Sequence, residues 1–122
     1  MAKKILVVDD SDVLRKIVVF NLQKEGYSVF EARNGVEALQ LVEQIKPDLV
    51  ILDVMMPEMD GFEVLRRLRS NPAYNSIFVI MLTAKGGEED PKIAASLGAN
   101  GFLTKPFSPV KLLEEVRRVV GE

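Results

Sequence analysis

The sequence predicts a layered α/β domain, a five-stranded parallel sheet with helices on both faces. Three observations predict it. Short apolar runs alternate with longer amphipathic stretches five times along the 122 residues. Three of the runs have no polar alternation, as strands covered on both faces require. Each amphipathic stretch opens on a capping residue or a proline.

The first strand is Ile5–Val8, and Ser11 then caps a helix carrying Leu14, Ile17, Val18 and Leu22, stopped by Gly26. Ser28–Ala32 is a weaker second strand. Asn34 and Glu37 have the spacing of a capping box, ahead of Ala38, Leu41, Val42 and Ile45, and Pro47 ends that helix. Leu49–Leu52 is the third strand. Asp60 and Glu63 repeat the capping pattern around Phe62, Leu65 and Leu68, and Asn71-Pro72 reads as a loop. Ile77–Leu82 is the fourth strand. Pro91 opens a fourth helix through Ile93, Ala94 and Leu97 to Gly98. Gly101–Leu103 is a short fifth strand, and Ser108-Pro109 opens a last helix carrying Leu112, Leu113, Val116, Val119 and Val120. Strand and helix alternate throughout, and right-handed crossovers distribute the helices over both faces. One domain spanning residues 1–122 is expected.

Composition narrows the chemistry. Sixteen basic and 18 acidic residues leave a net charge of -2, too balanced for broad electrostatic binding of nucleic acid or anionic membrane. There is no cysteine, hence no disulfide framework or thiol chemistry, and no histidine, hence no phosphohistidine carrier, imidazole base or imidazole ligand. A metal site would be made of oxygen ligands, which suits hard cations such as Mg²⁺. The opening MAKKILVVDD holds too short an apolar run for a signal peptide or membrane span, so a cytoplasmic location is expected.

The polar residues fall in a pattern. The first strand runs into Asp9-Asp10, the third into Asp53, the fourth into Thr83 and the fifth into Lys105. The carboxyl ends of parallel strands share one edge, where ligands bind at the reversal of strand order. Neighbouring first and third strands would bring three aspartates together. Two carboxylates about 5 Å apart repel by roughly 3 kcal/mol at an effective dielectric near 20. A divalent cation would convert that repulsion into binding, and Lys105 would relieve part of it. Taken singly, these residues have ordinary roles. Asp9-Asp10 can cap a helix, Thr83 can end a strand as Thr104 does, Lys105 can be solvated and Phe102 can be core. Asp60 reads as a cap, Asp48 as a strand-start residue, and the Met55-Met56 pair as packing or as a gate. Joint placement on one edge is what favours a site.

These residues carry a resemblance. With VVDDS at 7–11, LDVMMPEMDG at 52–61, MLTAK at 81–85 and GFLTKPFSP at 101–109, the chain resembles the receiver domain of two-component response regulators, the group that includes the single-domain chemotaxis regulator. The resemblance covers essentially the whole chain. It implies a flavodoxin-like (βα)5 fold with strand order 2-1-3-4-5. It implies that Asp53 accepts a phosphoryl group from a phosphohistidine on a sensor histidine kinase or phosphotransfer protein. Asp10, Asp53 and the Met55 carbonyl would ligate Mg²⁺, with Asp9 reaching it through water, while Thr83 and Lys105 would bind phosphoryl oxygens. Thr83 and Phe102 would form the switch. The output surface would be the fourth helix, fifth strand and fifth helix, presented to a downstream protein partner or effector domain. Such a chain promotes its own phosphorylation and dephosphorylation and is not a turnover enzyme. The resemblance also implies a cis Lys105-Pro106 bond. Met55 and Lys85 would flank the phosphoryl group, and Gly86 and Gly87 suggest a mobile approach to the fourth helix. One DNA-binding subgroup pairs charges of the fourth and fifth helices across a symmetric dimer. Here Pro91, Gly101, Lys111 and Glu115 depart from that pattern, so that dimer is not expected.

Three rival readings follow from the same residues. An aspartyl-phosphate phosphohydrolase would need a second acid near the nucleophile, but Met55 stands two residues beyond Asp53. A nucleotide- or flavin-binding domain would want a glycine-rich loop after the first strand, where this chain has DDSDVLR. A degenerate receiver that only binds partners would not keep the acids, Thr83 and Lys105 together.

Overall fold

A computed structural model describes residues 2–84 and 90–121. Its elements run β1 (Lys4–Val8), α1 (Asp12–Lys24), β2 (Ser28–Ala32), α2 (Gly35–Ile45), β3 (Leu49–Asp53), α3 (Gly61–Ser70), a 3₁₀ turn (Pro72–Tyr74), β4 (Phe78–Thr83), α4 (Asp90–Ser96), β5 (Gly101–Thr104) and α5 (Pro109–Val120). All neighbouring strands are parallel, in the order β2-β1-β3-β4-β5. The expected alternation and strand order are both present.

Side-chain alternation divides the core into two layers. Leu6, Val8, Val50, Leu52, Val79 and Met81 face Ala38, Val42, Val64, Leu65, Leu68 and Ala94, from α2, α3 and α4. Ile5, Val7, Leu49, Ile51, Ile80 and Leu82 face Val18, Val19, Leu22, Leu112, Val116 and Val120, from α1 and α5. The three unalternating runs are therefore the three central strands, buried on both sides as predicted.

The capping residues act as their spacing suggests. Ser11, Asn34, Asp60 and Ser108 each accept a backbone N–H three residues on. The reciprocal half of the capping box is altered, however. Glu37 reaches back to the Arg33 N–H, and Glu63 instead pairs with Arg66 and Arg67.

Two expectations need correction. The fourth strand begins at Phe78 and includes Thr83, one residue later than the apolar run suggests. The Ile77 N–H still closes the preceding turn on the Tyr74 carbonyl, so ladder pairing starts only at Phe78. In α1, Ile17 is half exposed while Arg15 is buried. The guanidinium finds three oxygen partners, on Asp9, Asp12 and Glu31, which an aliphatic side chain could not use. Lys85, Gly86 and Gly87, and with them the suggested approach to α4, lie outside the described residues.

The outer edge of β5 is closed by α5. Glu115 accepts the Phe102 N–H at 3.0 Å, and Arg118 donates to the Asn100 carbonyl at 3.0 Å while pairing with Glu115. These bonds occupy groups that an open edge would offer to another chain. Gly101 makes room for them, because a Cβ there would lie 2.6 Å from Glu115 Oε2 and 3.0 Å from both Ile80 and Val119 carbons. Gly101→Ala is expected to lower the unfolding free energy by about 1–3 kcal/mol through overpacking, measured by urea denaturation. Unchanged stability would show that the clasp tolerates the methyl.

Candidate functional site

The site forms where β1, β3, β4 and β5 end. Asp53 is the last residue of β3 and is 2 % exposed. The following turn is pinned on two sides: the Val54 N–H donates to the Leu82 carbonyl, and the Gly61 N–H donates to the Val54 carbonyl. Gly61, the first residue of α3, is a site residue whose role the sequence reading does not isolate. A Cβ there would lie 2.3 Å from the Asp53 backbone carbonyl. Glycine thus lets the start of α3 press against the backbone that carries the acid. Its signals in the sequence are its place directly after the Asp60 cap and at the end of the LDVMMPEMDG motif.

Asp9 follows β1 and is 1 % exposed. Its N–H continues the ladder to the Ala32 carbonyl at 3.2 Å, and its Oδ1 accepts the Ser11 N–H at 2.8 Å. Asp10 is exposed at the rim. One carboxylate oxygen from each of Asp9, Asp10 and Asp53 lies within 4.8 Å of the others. Lys105, after β5, donates its ammonium to Asp53 Oδ1 at 3.0 Å and stands 3.4 Å from Asp9 Oδ2. The Lys105 N–H is held by the Thr83 carbonyl at 2.7 Å, and the bond to Pro106 is cis as expected. Every site acid and Lys105 therefore meet on the predicted edge.

Two buried side-chain oxygens have no hydrogen-bond partner among the described residues, Asp9 Oδ2 and Thr83 Oγ1. Buried polar atoms of this kind are costly unless a partner arrives. The donor set is all oxygen and anionic, and its Asp9 Oδ2 is ion-paired with Lys105 yet accepts no hydrogen bond among the described residues. It fits a hard divalent cation such as Mg²⁺.

The remaining predicted residues divide. Met55 sits at the rim, 69 % exposed, with its N–H 3.4 Å from Asp53 Oδ1, whereas Met56 is buried in the core. The methionine pair is thus one rim residue and one packing residue. Phe102 lies within β5 opposite Met81, half buried against the α4-side layer and away from the acids. Asp60 and Asp48 are structural: Asp60 caps α3, and Asp48 accepts the Lys4 N–H at 2.8 Å.

Burial pushes the Asp53 carboxyl up to about 6; the Lys105 hydrogen bond opposes the rise and the Asp9 charge adds to it. At neutral pH the group is still mostly ionised and so nucleophilic.

Fold and site together define a doubly wound α/β domain with an acidic pocket on its carboxyl edge. The chain matches the family described as Response regulator receiver domain over residues 5–117 and belongs to that family. It is 44% identical over 120 residues to the alkaline phosphatase synthesis transcriptional regulatory protein PhoP of Bacillus subtilis (strain 168), covering 98% of this chain and 49% of that protein. The chain thus spans about half the length of that curated relative. Among solved structures it is similar to the chemotaxis protein CheY4 of Vibrio cholerae, at TM-score 0.92 and 39% identity over 98% of this chain and 99% of that one. It is also similar to the signal receiver domain of a signal transduction histidine kinase from Syntrophus aciditrophicus, at TM-score 0.90 and 38% identity over 98% and 91%. The fold is the flavodoxin-like one that the strand order indicates.

A raised carboxyl pKa makes ionised Asp53 a cost to the folded state. The native chain holds this proton where the unfolded chain has released it, so the contribution falls as pH rises from about 4 to about 6. In Mg²⁺-free buffer, Asp53→Asn is expected to raise the unfolding free energy at about pH 7.5 by on the order of 1–2 kcal/mol, less than the full shift because Lys105 loses a partner. The gain should vanish by about pH 4, where the wild-type carboxyl is protonated. Denaturation at the two pH values reads this out, and a pH-independent gain would mean that crowding of charge is not its source.

Proposed function

We propose that this receiver domain is a phosphorylatable signalling switch in which Asp53 accepts a phosphoryl group from a phosphohistidine. The observation that carries the reading is the state of the Asp53 carboxylate. It is buried and aligned by Lys105, and it stands beside acids whose charge a cation would balance. An Asp53 oxygen attacks phosphorus, the P–N bond to the donor imidazole breaks, and that nitrogen takes up a proton as it leaves. No base on this chain is needed, because the nucleophile is already ionised.

Asp10, Asp53 and the Met55 carbonyl would hold Mg²⁺, with Asp9 acting through water. When bound, the ion offsets the charge of the acids and of the phosphoryl oxygens. Lys105 stays beside Asp53 and pairs with a phosphoryl oxygen. The buried Thr83 hydroxyl, which has no partner among the described residues, donates to another. Because Thr83 and Thr104 are ladder partners, a pull on Thr83 reaches β5, where Phe102 turns further inward. Phenylalanine has no hydroxyl, so its inward state rests on apolar burial.

The readable surface is then α4, β5 and α5. A downstream protein or a linked effector domain fits it better than nucleic acid does, given the near-neutral charge. The PhoP relative is named a transcriptional regulatory protein, which is consistent with a receiver coupled to an output function. The domain catalyses its own phosphorylation and dephosphorylation rather than turning over a substrate. Among the described residues no helix is long and apolar enough to cross a membrane, and we place the site of action in the cytoplasm with the kinase domain that supplies it.

The test is incubation with Mg²⁺ and a small acyl phosphate, followed by intact mass and peptide mapping. An adduct of about 80 daltons on Asp53, lost in Asp53→Asn and on chelation, is expected. No adduct, or one mapped to another residue, would remove the reading.

A further inference from the structure

Arg15 is one of the few buried charged side chains among the described residues, 4 % exposed, and its ion pairs are with Asp12 and Glu31 rather than with a carboxylate of the site. Its guanidinium has three partners. Nη1 donates to the Asp9 backbone carbonyl at 2.8 Å, Nε to Glu31 Oε1 on β2 at 2.9 Å, and Nη2 to Asp12 Oδ1 at 2.5 Å. Lys16 holds the same Glu31 carboxylate from the other side at 3.1 Å.

The carbonyl contact is the informative one. It belongs to the peptide joining Asp9 to Asp10, so its orientation sets where the Asp10 Cα stands. Asp10 is exposed, and so has little packing of its own to hold it. Asp9, by contrast, is fixed through its N–H, its Oδ1 and its carbonyl. A planar five-donor fork suits this task, because one side chain can grip a carbonyl, a neighbouring strand and the first turn of α1 together.

We propose that Arg15 is a positioning residue for the divalent-cation site, holding the Asp9–Asp10 peptide so that Asp10 meets Asp53. The inference rests on the reading that these acids hold Mg²⁺. Geometry and charge predict opposite signs, which makes it testable. Removing a nearby cation would by charge alone tighten Mg²⁺ binding to an acidic cluster. Loss of the grip would weaken it, in the manner of other outer-shell residues, by about ten-fold.

The experiment is calorimetric titration of the full chain with Mg²⁺, with no phosphodonor present. Arg15→Met is expected to raise the Mg²⁺ Kd by about ten-fold. Arg15→Lys, which keeps the charge but lacks the fork, should also weaken binding, and it decides the matter alone if Arg15→Met does not fold. Arg69→Met is the structural control. Arg69 grips the carbonyls of Tyr74, Ile77 and Gly98 at the amino ends of β4 and β5, so its loss should lower stability without moving the Kd. Folded Arg15 variants that bind Mg²⁺ as wild type does, or more tightly, overturn the inference alone, as does an equal loss in Arg69→Met. A wild-type chain that takes up no Mg²⁺ overturns the Mg²⁺ reading and this inference with it.

Discussion

Three carboxylates are held at the carboxyl edge of a parallel sheet, and the rest of the molecule is arranged around the cost of holding them. The backbone imposes the crowding. Asp53 is the last paired residue of β3, and Asp9 extends the β1 ladder by one bond to Ala32. Neither can drift away without breaking strand pairing. Behind them β1, β3 and β4 are buried on both faces. One or two fully buried aliphatic side chains, at roughly 1.5–3 kcal/mol each, offset the repulsion of a carboxylate pair. The central strands contribute many more than that. A large, dry core is what permits a strained polar edge.

The opposite demand falls on β5, which ends at the site on Lys105 but is itself an edge strand. It must be anchored without being sealed into the sheet interior. Glu115 and Arg118 supply the anchoring from α5, through the Phe102 N–H and the Asn100 carbonyl. Arg69 supplies it from α3, through Gly98 and the Asn100 side chain. The helix-five acid that departs from the charge-paired dimer pattern is therefore engaged within its own chain. The absence of a side chain at Gly101 is the space that the carboxylate fills.

Much of this is legible in the residues. Unalternating apolar runs identify the central strands, and capping residues locate the helix starts, because both signals arise from local chemistry that tertiary packing does not override here. The acids, Thr83 and Lys105 are legible for a related reason. Each ends an apolar run, and a parallel sheet brings all such ends to one edge. Three features escape the reading, and all depend on close approach between distant segments. Gly61 matters because of where the Asp53 carbonyl lies, Gly101 because of Glu115, and Arg15 because Asp9 and Glu31 converge on it. Periodicity assigns Ile17 to the inner face and gives Arg15 no role. It cannot register a guanidinium whose partners lie on β2 and on the loop after β1.

The two cations near the site differ in a way that their chemistry explains. Lys105 is a point charge on a flexible stem, bonded to the carboxylate of Asp53 itself and partly open to solvent. It can pair with an acid now and with a newly arrived anion later, because an ammonium imposes little geometry. Arg15 is spent differently. Glu31 and Asp12 balance its charge, and its remaining donors address a backbone carbonyl. It bonds no carboxylate of the site but holds the peptide between two of its acids. One cation adjusts the charge of the pocket and the other fixes its shape. Exchanging the two residue types would serve neither purpose, since an ammonium cannot grip three oxygens in one plane and a guanidinium cannot turn so freely from one partner to another.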